Sequence, residues 1–497
     1  MTDDDILCLL AAVFVLLCCF AKGQPGNLDR ILFRWTRRDP FRVRDLLNGG
    51  ILILGITGSG KSSSSGKHIA RAVVRDQNSY GLILAAKPDD LAMWQGIFRA
   101  AGQSKRLLVF DGDRSPLRFN FLAEASKHGN DSREITKCIL MIGESLTRGD
   151  RGRGGDNAAF FLAQQERMIH HAVEIIKSAT STVTSSDLQK FIGTAANTDA
   201  EVADDTWRNN FHFQCVKVIH ARAKNDPLPR DLEQECEYWL TEYPRMASRM
   251  RTSIVAGVMA TLFVFNNGLV HERVSTNSNF SFDQMRQKRQ WLFVNLSPSE
   301  YGDSGTFIGA GFKYLMQRHV LRSLAGKGDP FHVCWCDEAQ NWTNQFDAEY
   351  LAQCRSRQGC MVFLTQSVHS FHTSMRSDDS KHQTLSLLGN FGHRVFHALG
   401  DVESAQWASE SLGKRIETHF GGSTQPAESI FDDFFGVDRT TSSFNTQYEP
   451  VLQPSEFMNR LRTGGPRNRF QCDAVVIRPG MPFSNGENFL FTTFDQR

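Results

Sequence analysis

Residues 51–62 read Ile-Leu-Ile-Leu-Gly-Ile-Thr-Gly-Ser-Gly-Lys-Ser, an apolar run that passes directly into GxxxxGKS. This pattern constrains the fold more than any other part of the chain, because it specifies a strand, an anion-binding turn and a helix in fixed succession. Gly55, Gly58 and Gly60 let the backbone curl so that successive N–H groups face one anion, and a helix beginning at Lys61 adds its positive end. Thr57, Ser59 and Ser63 complete the phosphate-binding turn, Lys61 reaches the outer phosphates and Ser62 holds Mg²⁺. The expectation is a site for ATP or GTP with Mg²⁺, supported by the helix-like run at residues 69–74.

At 497 residues the chain has room for two or three domains. Its formal charge of +2 gives no global field that marks a nucleic-acid binder, so any such contact rests on local patches. Eleven cysteines without CxxC spacing suit buried thiols in a reducing cytosol rather than disulfides or zinc. His170 and His171 are adjacent, and helical geometry points them apart, which argues against a metal site there.

Residues 6–21 carry no charge, follow Asp3, Asp4 and Asp5, and precede Lys22, Arg30, Arg34, Arg37, Arg38, Arg42 and Arg44. A cleavable signal peptide has a basic leader, and this leader is acidic. The bias instead predicts a single-pass anchor in the inner (cytoplasmic) membrane, with the bulk of the chain cytoplasmic. The run is short against the roughly 17–25 residues usual for a span. Residues 1–22 are read as the anchor and 23–48 as a basic juxtamembrane connector whose cations sit on anionic headgroups.

Three apolar runs, at residues 51–54, 81–85 and 107–110, alternate with helical patterns, as in a parallel sheet buried between helices. Residues 131–250 carry long 3.6-residue periodicity and no strand pattern, which predicts an all-helical insertion. Its basic first loop, residues 148–155, reads equally as a nucleic-acid contact or a solvated linker. The sheet resumes at 291–296, 331–336, 361–365 and 394–398, so that residues 49–130 and 251–497 form two parts of one nucleotide-binding domain. Residues 421–450, rich in Ser, Thr and Gly, read as an irregular loop, and residues 473–478 and 489–494 as a closing hairpin.

The run Phe-His-Val-Cys-Trp-Cys-Asp-Glu-Ala-Gln at residues 331–340 is an apolar strand ending in two acids. After a phosphate loop, the first acid, Asp337, orders the Mg²⁺ shell and the second, Glu338, polarises the attacking water. Gln366 stands at the tip of the strand 361–365, where it can sense the γ-phosphate. Arg355 or Arg357 can act as an arginine finger on a neighbouring subunit or simply close a helix C-terminus.

The run Asp337-Glu338-Ala339-Gln340, with Phe346-Asp347, Arg355-Ser356-Arg357 and Leu364-Thr365-Gln366-Ser367, resembles the core of the type IV coupling proteins (TraG/TraD-like), within the HerA/FtsK group of translocating ATPases. Asn120-Phe121-Leu122, Phe160-Phe161, residues 388–391 and 411–414, and Ser455-Glu456-Phe457 extend the resemblance. It implies a RecA-like α/β domain, ATP with Mg²⁺, and a homo-hexamer with Arg355 as the finger in trans. It also implies transport of single-stranded DNA, a relaxase–DNA complex or a protein toward a type IV secretion channel. Two features depart from the family: Ala85-Ala86-Lys87-Pro88-Asp89 replaces the usual Asp-Pro-Lys-Gly, and one span replaces the usual two. The competing functions are a HerA/FtsK-like duplex DNA motor without a channel, and a cargo receptor whose nucleotide sets only its oligomeric state.

Overall fold

The computed structural model describes residues 27–127, 132–147, 157–223, 229–326, 328–375, 380–425 and 439–497. The expected anchor at residues 6–21 and the basic loop at 148–155 lie outside them. Among the described residues, no single helix is long and apolar enough to cross a membrane.

Thirteen strands are described. β1 (Ile31–Arg34) and β2 (Pro40–Arg42) form a short antiparallel ribbon. Along the chain follow β3 (Ile51–Leu54), β4 (Ser79–Leu84), β5 (Leu107–Phe110), β6 (Trp291–Val294), β7 (Phe331–Cys336), β8 (Gly359–Thr365) and β9 (His393–Phe396). β10 (Lys414–Gln425) and β11 (Arg439–Pro450) make a separate hairpin, and β12 (Gln471–Ile477) and β13 (Phe489–Asp495) close the chain. Nine of these build one sheet in the order β13-β12-β9-β3-β8-β7-β4-β6-β5. From β9 to β5 every pairing is parallel, and only β12 runs against its neighbours.

The two-residue alternation of each strand divides the core into two layers. Ile51 and Ile53 of β3, with Trp335 and Leu364, pack beneath the helices Lys67–Arg75 and Asp90–Ala100 and the β1–β2 ribbon. Leu52 and Leu54, with Cys336 and Phe363, pack against the helix Pro298–Arg322 and the helical insertion. Both faces of β3 and β4 and of β6 to β9 are therefore covered, which is why β3 and β6 read as unbroken apolar runs and β4, β7 and β8 as nearly so, while β9 buries His393 and Arg394.

The described residues between β5 and β6 contain helices and no strand, and the helical stretch runs past Met250 to the helix Phe282–Lys288. The helix Ser248–Phe265 buries a single stripe (Ile254, Val258, Leu262) against this bundle. The expected irregular loop at 421–450 is a correction: much of it belongs to the twelve-residue strands β10 and β11, paired from Lys414↔Pro450 to Gln425↔Arg439. One face of the hairpin carries Ile416, Phe420, Phe444 and Tyr448, four residues apart in each strand, and this sparse signal is hidden among the intervening Ser, Thr and Gly.

Candidate active site

The phosphate loop forms where β3 ends between β8 and β9. Gly55 N donates to Thr365 O (3.3 Å) and Ile56 N to Ala398 O (2.9 Å), tying the loop to the ends of both neighbouring strands. Gly58 and Gly60 have φ of +82° and +96°, backbone that L residues rarely adopt. At Gly58 a Cβ would meet nothing within 4 Å, so the crown of the loop is open to a ligand. At Gly60 a Cβ would lie 2.6 Å from Cys472 Sγ. Gly60→Ala is therefore expected to lower unfolding stability by about 2–5 kcal/mol, from the positive φ and the overpacking together. An unchanged denaturation midpoint would show that the loop relaxes around the methyl.

Lys61 is buried and leads into a π-helical turn, Ser62–Gly66, before the α-helix proper begins at Lys67. The sequence predicted a regular helix from Lys61. The wider turn accompanies the Ser64 hydroxyl, which bonds back to the Gly60 carbonyl (2.6 Å). Thr57 and Ser63 are exposed, and Ser59 is fully buried with an unpartnered hydroxyl.

Strand order brings the remote residues to this loop. β8 lies between β3 and β7, so the ends of β3 and β7 are two strand spacings apart, roughly 10 Å, and the end of β8 fills the gap. Ser62 Oγ donates to Asp337 Oδ2 at 3.2 Å across 275 residues of chain. Lys61 Nζ stands 3.6 Å from Glu338 Oε1. Gln366 Nε2 donates to the same Oε1 (3.1 Å), and Gln340 Nε2 to Oε2 (3.0 Å). Gln340 is fixed in turn by Thr365 Oγ1, which donates to its Oε1 at 3.0 Å. Glu338 has left-handed backbone angles, φ 44° and ψ 57°, and its N–H donates to Asp337 Oδ1 (2.9 Å). This turn sends two adjacent acids in different directions.

The environment also separates the two acids electrostatically. Burial pushes the Asp337 carboxyl up and the neighbouring Glu338 adds to the rise, against the Glu338 N–H, Lys61 and the Ser62 hydroxyl. Burial pushes Glu338 up as well, but Gln340, Lys61, Gln366 and Lys87 outweigh it, and its carboxyl settles below the ordinary value. Glu338 is thus held ionised, ready to accept a hydrogen bond from water. Asp337 and the Ser62 hydroxyl supply adjacent hard oxygen donors, a set that fits Mg²⁺.

Within one chain Arg355 and Arg357 do not reach this site, as a finger acting on a neighbouring subunit requires. They precede β8, whereas Gln366 follows it, so a seven-residue strand of roughly 20 Å separates them. Arg355 instead donates to Asn48 Oδ1 (3.1 Å).

The sequence reading missed several neighbours of the site. Lys87, on the turn after β4, acts on Glu338 through space, although its segment had been singled out only for its missing acid. Asp90, at the start of the next helix, is raised to about 6 by burial and by Asp337. His397 lies under the loop. Its Nδ1 donates to Asp473 O (3.0 Å) and its Nε2 accepts from Ser65 Oγ (2.7 Å), while burial pulls it down to about 4 and keeps it neutral. Gln496 Nε2 reaches Ser63 Oγ at 2.8 Å. None of these four has a local signal in the sequence, whereas Gln340, an amide two residues beyond the paired acids, does.

Residues 332–461, which include β7, both acids, β8 and the β10–β11 hairpin, match the family described as "TraM recognition site of TraD and TraG". Over those residues the chain is similar to the TraG/TraD-like coupling proteins. Their fold extends over nearly its whole length. The unbound bacterial conjugative coupling protein TrwBdeltaN70 superposes with a TM-score of 0.59 at 13% identity, covering 96% of this chain and 91% of its own. The plasmid coupling protein TrwB in complex with ADP and Mg²⁺ gives 0.58 at 13% identity with the same coverage. The complex of TrwB with a non-hydrolysable ATP analogue likewise gives 0.58 at 13%, with 96% and 91% covered. At this identity the likeness concerns the fold. No curated protein matches the chain by sequence.

Proposed function

We propose that this coupling-protein relative is an ATP hydrolase that drives DNA, a relaxase–DNA complex or a protein toward a type IV secretion channel. It works as a homo-hexamer anchored in the inner membrane by residues 6–21. The observation that carries the hydrolytic reading is the convergence on one carboxylate: Lys61 and Gln366 meet at Glu338 Oε1, beside Ser62 and Asp337. Ser62 and Asp337 are the residues that would hold Mg²⁺, which would supply charge neutralisation at the phosphates. Lys61, within 3.6 Å of Glu338, moves its charge to the γ-phosphate when nucleotide binds. Glu338 is then restrained by the two amides alone, with its oxygens oriented toward the attacking water, and its ionised carboxylate takes that water's proton. Gln366 touches the carboxylate from the end of β8, so any shift of that strand is transmitted to the catalytic group.

The DNA reading draws on the TraM description of residues 332–461 and on the conjugative proteins that share the fold. Steady-state ATP turnover without DNA, with single-stranded DNA and with duplex tests it. Stimulation by single-stranded DNA is expected. Stimulation by duplex alone would favour a double-strand motor, and absence of turnover under all three conditions would leave only the recruitment receptor.

A further inference from the structure

The parallel strands share one direction, so their N-terminal ends lie together on the rim opposite the phosphate loop. The residues just before several of them are basic. Lys105 precedes β5, Lys288 precedes β6, and Arg355 and Arg357 precede β8; all are exposed except the half-buried Arg357. The β12–β13 turn lies on the same rim because β12 runs antiparallel to β9. Asp39 ties the β1–β2 ribbon to this turn, accepting from Ser484 N (2.7 Å) and Ser484 Oγ (2.8 Å). That tie places the exposed Arg37 and Arg38 beside it.

Acids at this rim are engaged by other groups. Asp76 is held by Arg30 (2.6 Å), Asp329 by Arg286 (2.9 Å) and Asp29 by Arg44, while Asp45 accepts from Arg42 N (2.8 Å). Glu487, on the β12–β13 turn, and Asp283, grouped with Asp329 around Tyr80, are exposed. The six cations still leave the rim with a positive surplus.

We infer that this rim is a docking face for an anionic lipid surface. The described chain begins here. Exposed Leu28 shares a cleft with Leu47, Arg355 and Arg357, and Asn27 is six residues beyond Ala21. Six extended residues span at most roughly 20 Å, so the end of the uncharged segment cannot lie farther than that from the rim. A nucleic acid would also meet a positive surface, but the adjoining apolar segment and Leu28 favour headgroups. The inference rests on the anchored reading for its orientation.

The test uses the full chain carrying Leu10→Asp and Val15→Asp, so that residues 6–21 no longer insert. Flotation is compared on phosphatidylcholine vesicles with and without phosphatidylglycerol. Partition onto the anionic vesicles alone is expected, with release at about 0.5 M salt. Arg37→Gln with Arg38→Gln should weaken partition roughly 25-fold while ATP affinity and Tm stay unchanged. Arg355→Gln with Arg357→Gln should weaken it to a similar degree. Equal flotation on neutral vesicles, or no loss in either pair, overturns the inference. So does arginine-dependent binding of DNA by a chain that ignores the vesicles. Turnover recovered by mixing Arg355→Ala with Glu338→Gln subunits would place Arg355 at a neighbour's phosphate and remove it from the lipid face. Release of the unaltered chain from membranes by salt would overturn the anchor alone, because the vesicle comparison does not depend on it.

Discussion

Lys61→Ala is expected to lose nucleotide binding, with ATP affinity falling at least about 100-fold. The side chain is buried at the foot of the glycine loop and its ammonium lies 3.6 Å from Glu338 Oε1, close to where the outer phosphates of a nucleotide must sit. Removing it deletes a charge-assisted contact to phosphate, worth about 1.5–3 kcal/mol even as a single hydrogen bond, together with the neutralising charge itself. The acids left behind make the loss larger, since Asp337 and Glu338 would then face an incoming polyphosphate with one cation fewer. Calorimetric titration with ATP and Mg²⁺ measures this directly. Retained affinity would show that the loop binds through its backbone alone and that Lys61 serves only to hold Glu338.

Glu338→Gln should separate binding from chemistry, leaving ATP affinity near that of the unaltered chain and lowering kcat by about 10²–10⁴. The amide has the same shape and tolerates the same left-handed backbone as readily as glutamate. It carries no charge, however, and one of its two terminal atoms can no longer accept a hydrogen bond, so either Gln340 or Gln366 loses its partner. Single-turnover hydrolysis together with equilibrium binding distinguishes this from a folding defect. Undiminished turnover would move the base to another acid, and Asp90, raised to about 6 beside Asp337, is the next to examine.

The strands were largely legible in advance. A strand covered on both faces is built mostly of apolar residues, and the runs at residues 51–54 and 331–336 coincide with β3 and β7. The β10–β11 hairpin was missed for the converse reason. Its exposed strands have no core to fill, so their Ser, Thr and Gly resemble loop composition, and only the cross-strand pairs Ile416↔Tyr448 and Phe420↔Phe444 betray the pairing. The π-helical start after Lys61 was equally hidden, because it depends on which partner each serine hydroxyl selects, the Gly60 carbonyl for Ser64 and His397 for Ser65.

By itself the sequence determined the groups that act over consecutive residues. A phosphate cradle is made of neighbouring N–H groups, and paired acids at a strand end are neighbours in the chain, so residues 55–63 and Asp337-Glu338 were assignable from order alone. Only the tertiary structure decided which distant residues meet. Placing β8 between β3 and β7 delivers Gln366 to Glu338 at one end of the strand, and the same strand carries Arg355 and Arg357 to the opposite rim. Nothing local distinguishes those two ends, because strand order and direction are set by which faces are buried together, a property of the whole sheet.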